Sequence, residues 1–256
     1  MHPQIRNIKK ELAKLPEYHQ KIAFLENKFE GEDCYILAPG PSLGHINGDT
    51  LMETLKGNLT LSVKQAYTKY KKVSDFHFIN DCNLPGQGYP GYFYNLKKGP
   101  IVIASSGYPE EYAKTRFALN QHWDIFCKVI DPQVYPGKNY GRLCENFEFE
   151  RGLFTNMLDR PCGPSITLET VIYTAVHLGI KNIYAIGWDS GAKVGEHFYK
   201  EKTSLTSNRN FEYELVQEGS GPLYEWLQNK NINLYLISEV SALSEQIPRT
   251  TLESIV

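Results

Sequence analysis

The sequence lacks the features that mark several large classes of protein. There is no basic excess: 27 Lys and Arg face 29 Asp and Glu, for a formal net charge of -2. A protein held to nucleic acid by phosphate neutralisation needs a surplus of cations, so that class is excluded. No apolar run approaches the ~20 residues of a membrane span. The opening Met1-His2-Pro3-Gln4-Ile5 has neither the basic nor the apolar stretch of a secretory signal, so a cytoplasmic location is expected. Cysteines are few and scattered: Cys34, Cys82, Cys127, Cys144 and Cys162 form no CxxC pair and stand at no zinc-ligand interval from a histidine. No bound metal is expected; buried free thiols are. The turn Gly40-Pro41-Ser42-Leu43 after the first strand is neither a Walker loop nor GxGxxG.

What remains is a chain of 256 residues with 41% hydrophobic content, enough for one sizeable core. Aromatics are frequent, with 17 Tyr. Residues 4–30 carry Ile5, Ile8, Leu12, Ile22, Leu25 and Phe29 at helical intervals, with Pro16 as a break between two halves. They read as an N-terminal helical arm, residues 1–30, that packs on a core or offers an oligomer contact; residues 31–256 read as a single domain. Short apolar runs then alternate with helical stretches. The strand candidates are Cys34 to Leu37, Leu59 to Val63, Phe76 to Ile79, Ile101 to Ala104, Lys181 to Gly187 and Leu234 to Ile237. Helices are expected from Lys64 to Lys71, Pro109 to Asn120 and Ser165 to Leu178, the last closed by Gly179. Residues 211–229 read as helix interrupted at Gly219-Ser220-Gly221-Pro222, and 131–160 as a long loop. The alternation predicts an α/β fold with a mostly parallel sheet and helices on both faces.

In such sheets ligands bind beyond the carboxyl ends of the strands. Those ends are polar here: Gly40-Pro41-Ser42, Asn80-Asp81, Ser105-Ser106-Gly107 and Gly187-Trp188-Asp189. Glycine lets a backbone approach a ligand, and a neighbouring hydroxyl can bond a phosphate oxygen. Gly163-Pro164-Ser165 opens a helix, where free N–H groups suit an anion, and Arg160 is close by in sequence. Among seven histidines, His77 reads as packed within a strand. His197, in the polar loop after Asp189, can serve as a general base or face solvent.

The strand ending in Gly40-Pro41-Ser42-Leu43, with Gln65-Ala66-Tyr67 after the second strand and Phe78-Ile79-Asn80 closing the third, resembles the bacterial sialyltransferases of glycosyltransferase family 42. The block from Gly163-Pro164-Ser165 through Ala175 to Tyr184 and on to Gly187-Trp188-Asp189 looks like that family's helix-strand unit. It is also similar to the motility-accessory-factor glycosyltransferases and the archaeal 6-hydroxymethylpterin pyrophosphokinases, in which an Asp at the strand end precedes a glycine-bearing loop and a His.

The resemblance implies a Rossmann-like, metal-independent, inverting transferase. Its donor would be a cytidine monophosphate (CMP)-linked nonulosonic acid such as sialic acid and its acceptor a glycan, placing it in lipopolysaccharide or capsule biosynthesis. Gly40, Pro41 and Ser42 would lie near the nucleotide phosphate, with Gln65, Asn80, Asp81, Gly163, Ser165, Gly187, Trp188 and Tyr199 as further substrate contacts. Lys64 stands where the family has an Asn, and Leu215-Val216-Gln217 where it has its catalytic His. The base therefore falls to His197, or to Glu214 or Glu218, with Asp189 in the catalytic group. Lys64, Arg160 and loop N–H groups would hold the leaving phosphate, and Tyr184, Tyr199 or Tyr213 would protonate it. Two other readings stay open. One is an ATP- and Mg²⁺-dependent pyrophosphokinase using Asp81 and Asp189; the other is a nucleotide-sugar-binding module without turnover.

Overall fold

The computed structural model describes residues 1–80, 99–106, 110–111, 122–130, 159–161, 170–190, 197–198 and 209–255. Two short helices, α1 (Ile5–Leu12) and α2 (Tyr18–Leu25), lead into β1 (Asp33–Leu37). Then follow α3 (Ser42–His45), α4 (Gly48–Leu55), β2 (Leu59–Val63), α5 (Ala66–Tyr70), β3 (Phe76–Asn80), β4 (Ile101–Ser106), β5 (Ile125–Ile130) and β6 (Asp159–Pro161). The chain ends with α6 (Ile172–His177), β7 (Asn182–Ile186), α7 (Arg209–Asn229), β8 (Asn233–Ile237) and a 3₁₀ turn, Leu252–Ser254. The eight strands form one sheet in the order β6-β5-β4-β3-β2-β1-β7-β8, parallel at every pairing. This is a Rossmann-like α/β fold.

Alternation along each strand sends side chains to opposite faces. Cys34, Ile36, Leu59, Leu61, Phe76, Phe78, Ile183 and Ala185 share one core with α1, α2, α6 and α7. Tyr35, Leu37 and Ile186 join Leu43, Leu51, Leu55 and Tyr70 of α3, α4 and α5 on the other face. Ile5, Leu12, Leu25 and Phe29 are all at most 1% exposed, so the first helices are a layer of the main core. The chain just before β1 also seals the end of α6. Asn27, Phe29 and Gly31 N–H groups donate to the His177, Leu178 and Gly179 carbonyls at 2.8–2.9 Å, satisfying groups a helix end leaves open.

Three expectations are corrected. β5 lies in an apolar run, Ile125-Phe126-Cys127, that the sequence reading passed over, and β6 is a three-residue strand at the end of the expected long loop. The break predicted at Gly219 to Pro222 does not occur, for α7 runs through it with Pro222 inside. Ser220 Oγ donates to the Gln217 carbonyl at 2.6 Å and accepts from the Ser244 N–H at 2.8 Å. A β-carbon on Gly221 would sit 3.1 Å from Gln246 Oε1. The small residues thus serve close packing against the turn after β8. The helix expected from Pro109 lies almost entirely outside the described residues, as does the start of the one expected from Ser165.

His77 is packed, as its mid-strand position predicts. It is 0% exposed, its ring stacks on Tyr67 at 4.4 Å, and Nδ1 lies 3.3 Å from Ser62 Oγ. Burial pushes its pKa down to about 3. An unfolded-state histidine protonates near pH 6.5, so below that pH the unfolded chain binds a proton that the folded chain refuses. Stability is then expected to fall as pH drops from about 6.5 toward 3, by about 2 kcal/mol between pH 7 and pH 5. Urea melts of His77→Phe should lose that part of the acid slope; an unchanged slope would mean that His77 is not its source.

Candidate functional site

The strand order reverses between β1 and β7. β2 to β6 lie to one side of β1, while β7 and β8 lie to the other. The crevice beyond this switch is where an open parallel sheet takes a ligand. The two glycine-bearing blocks singled out in the sequence meet here. Gly40 N–H donates to the Gly187 carbonyl at 2.8 Å, and Gly187 N–H donates to Ser42 Oγ at 3.1 Å. Asp189 Oδ2 accepts the Ser42 N–H at 2.7 Å, and Oδ1 accepts the Ser238 hydroxyl at 2.6 Å. Ser241 Oγ donates to the Trp188 carbonyl at 2.9 Å. Three turns, after β1, β7 and β8, are bound into one unit.

The glycines explain how this unit closes. A β-carbon on Gly40 would lie 2.6 Å from Asp189 Oδ2 and inside contact distance of the Gly187 carbonyl oxygen. The two turns therefore approach each other rather than a ligand. The expectation that loop N–H groups hold a phosphate is corrected for this turn. Pro39 and Pro41 have no N–H. The N–H groups of Ala38, Gly40, Leu43 and Gly44 donate to carbonyls, and that of Ser42 to Asp189. The Ser42 side chain, 4% exposed, likewise faces inward to Gly187.

Asp189 was expected in the catalytic group. It is 1% exposed and both carboxylate oxygens accept hydrogen bonds from the neighbouring turns, which makes it a brace. Trp188 is 4% exposed and packs in the core with Val216 and Leu223 of α7. His197 is half-buried. Its neighbour Phe198 fixes it at the rim: the Phe198 N–H donates to the Pro39 carbonyl at 3.0 Å, and the side chain packs beside Gly44. Glu214 and Glu218 are exposed on α7, whose Gln217 Nε2 donates to the Ser190 carbonyl at 2.8 Å. That bond ties the carboxylate-bearing stretch of α7 to the β7 turn.

Lys64 and Ser190 follow β2 and β7, and both have positive φ, 46° and 48°. Among the described residues the other positive-φ positions are Asn or Gly, which tolerate it. Each strained residue costs about 1 kcal/mol, and both stand at this rim. Gln65, at the start of α5, is 1% exposed.

The predicted convergence of Lys64 and Arg160 fails on strand order. Arg160 is on β6, four strands from β2, which at the usual strand spacing is about 19 Å. Asn80 ends β3, two strands from β1. Tyr184 is mid-strand, stacked between Tyr35 and Tyr235 at 5.2 and 5.3 Å, not at the rim. Asp81, Gly163, Ser165 and Tyr199 lie outside the described residues. Among the described residues no three His, Cys, Asp or Glu side chains form a metal-binding group, and no helix is long and apolar enough to cross a membrane.

Ser238 and Phe198 were missed. Ser238 directly follows β8, so the rule that found the other strand ends reaches it too. Phe198 is an apolar residue in a polar loop, which is the usual mark of an anchor.

No protein-family model and no curated protein matches the sequence. Two solved structures are similar to the chain. One is an MAf glycosyltransferase from Magnetospirillum magneticum AMB-1, 12% identical, covering 90% of this chain at a TM-score of 0.49; this chain spans 35% of its length. The other is the sialyltransferase CstII from Campylobacter jejuni, in complex with a substrate analogue, cytidine-5'-monophosphate. It is 16% identical, with 87% of this chain and 86% of that one covered, at a TM-score of 0.45. Both proteins are of the kinds that the sequence motifs resemble.

Proposed function

We infer that the protein is a glycosyltransferase that moves a sialic-acid-like sugar from a CMP-linked donor to a glycan acceptor, with inversion and without a metal. One observation carries the reading. The two motif blocks that resemble the sialyltransferases, Gly40 to Ser42 and Gly187 to Asp189, are bound together at the sheet's switch point, with His197 anchored over the same turn.

The division of labour differs from the one the sequence suggested. His197 takes the acceptor proton as the hydroxyl attacks, and Glu214 is the second group in reach of the rim. Asp189 holds the turns in place. With Arg160 remote and the β1 turn spent, the leaving phosphate falls to side-chain cations near β2.

A thermal-shift screen tests the class. CMP at about 100 times its dissociation constant should stabilise the protein by about 2.7 kcal/mol, a rise of about 5–10 degrees. His197→Ala should keep CMP binding and lose turnover about 10²- to 10⁴-fold. A response to ATP with magnesium alone would sink the reading in favour of a kinase. Full turnover in both His197→Ala and Glu214→Ala would remove the assigned bases.

A further inference from the structure

The switch-point crevice needs a positive group that neither the β1 turn nor Arg160 supplies. The N–H groups of that turn are engaged, and Arg160 stands on the far strand of the sheet. A different cation lies closer. Lys69 belongs to α5, which starts two residues beyond Lys64, itself just past the end of β2. At the helical rise, Lys69 is about 4.5 Å below the first residue of that helix, within one turn of the rim.

Its ammonium is placed by two aromatic rings. Lys69 Nζ is 5.3 Å from the Tyr70 ring centroid and 5.8 Å from that of Phe198. Phe198 is the residue that anchors His197, so the cation shares a support with the proposed base. Cation–π contact with two rings restricts an otherwise floppy side chain without neutralising it. Lys69 is exposed, so its charge stays open to a ligand. Tyr70 is 1% exposed, and its hydroxyl has no hydrogen-bond partner among the described residues.

We propose that Lys69 is a ligand-binding residue that meets the anionic group of the substrate, with Phe198 holding it beside His197. The proposal rests on the nucleotide-sugar reading above and names a contact within it. A nucleotide-linked sialic acid offers two anions, the phosphate and the sugar's carboxylate, and either would match an ammonium.

Calorimetric titration of the full chain with CMP, cytidine and free sialic acid separates these sources. Lys69→Ala should melt within about two degrees of the unsubstituted protein, since an exposed side chain is lost. If the phosphate is met, Lys69→Ala weakens CMP about tenfold and leaves cytidine unchanged. If the carboxylate is met, free sialic acid weakens by a similar factor and CMP does not. Lys69→Arg should restore most of the loss in either case. Unchanged affinity for both anions, or equal loss of cytidine and CMP, overturns the role of Lys69 while leaving the nucleotide reading intact. Failure of the unsubstituted protein to bind any of the three probes overturns both.

Discussion

Gly187→Ala is expected to cost at least about 2–5 kcal/mol, the largest loss among the left-handed glycines of the described residues. Two independent penalties coincide at this position. The backbone has φ 75°, where a β-carbon costs about 1–2 kcal/mol. That β-carbon would also press on the Ala38 carbonyl oxygen, inside contact distance, and stand 3.0 Å from Leu43 Cβ. Ala38 cannot retreat, because its N–H is bonded to the Ile186 carbonyl at 2.8 Å and β1 is central in the sheet. Overpacking against fixed backbone adds a further 1–3 kcal/mol, and loss of the Gly40 and Ser42 contacts adds more. Gly57 supplies the control. It has φ 83° but nothing within 4 Å of an added β-carbon, so Gly57→Ala should cost only about 1 kcal/mol. Equal losses in urea melts of the two variants would show that close approach of the turns is not what requires Gly187.

Much of this arrangement was readable before the structure. Six strands could be found because buried parallel strands are short apolar runs bounded by polar ends, and the same polar ends located the rim. Gly40 and Gly187 were selected correctly as sites of close approach, but the approaching group was misjudged. A glycine at a strand end is compatible with a ligand or with another turn, and spacing in the chain does not distinguish them. Arg160 shows a second limit. Order along the chain is not order across the sheet, so a cation 96 residues from Lys64 could not be placed near or far until β6, which carries it, was found at the sheet's edge with β3, β4 and β5 between it and β2. β6 itself is three residues long and includes a proline, too short for any periodicity to register. In α7, propensity argued for a break at Gly219 to Pro222. Packing against the turn after β8 overrode it, and only tertiary structure contains that turn.

Asp189 is the position where the bracing and catalytic readings part most widely, and two substitutions separate them. Asp189→Ala strands the Ser42 N–H and the Ser238 hydroxyl in a site where Ser42 is 4% and Ser238 7% exposed. Two buried donors without an acceptor cost about 3–5 kcal/mol together. Asp189→Asn keeps the shape. Its amide oxygen can accept the Ser42 N–H, while the Ser238 hydroxyl turns to accept from the amide nitrogen, so the loss should be nearer 1–2 kcal/mol. If the carboxylate only braces the turns, Asp189→Asn keeps CMP binding within a few-fold and retains more than about a tenth of turnover. A carboxylate that moved a proton would instead lose about 10²- to 10⁴-fold in turnover with binding intact. Ser238→Ala completes the cycle. In the bracing reading its effect on stability is coupled to that of Asp189→Asn by about 1 kcal/mol or more, because both act on one hydrogen bond. Additive losses would mean that the two side chains do not work through each other, and the rim would then need another explanation for how three turns hold one shape.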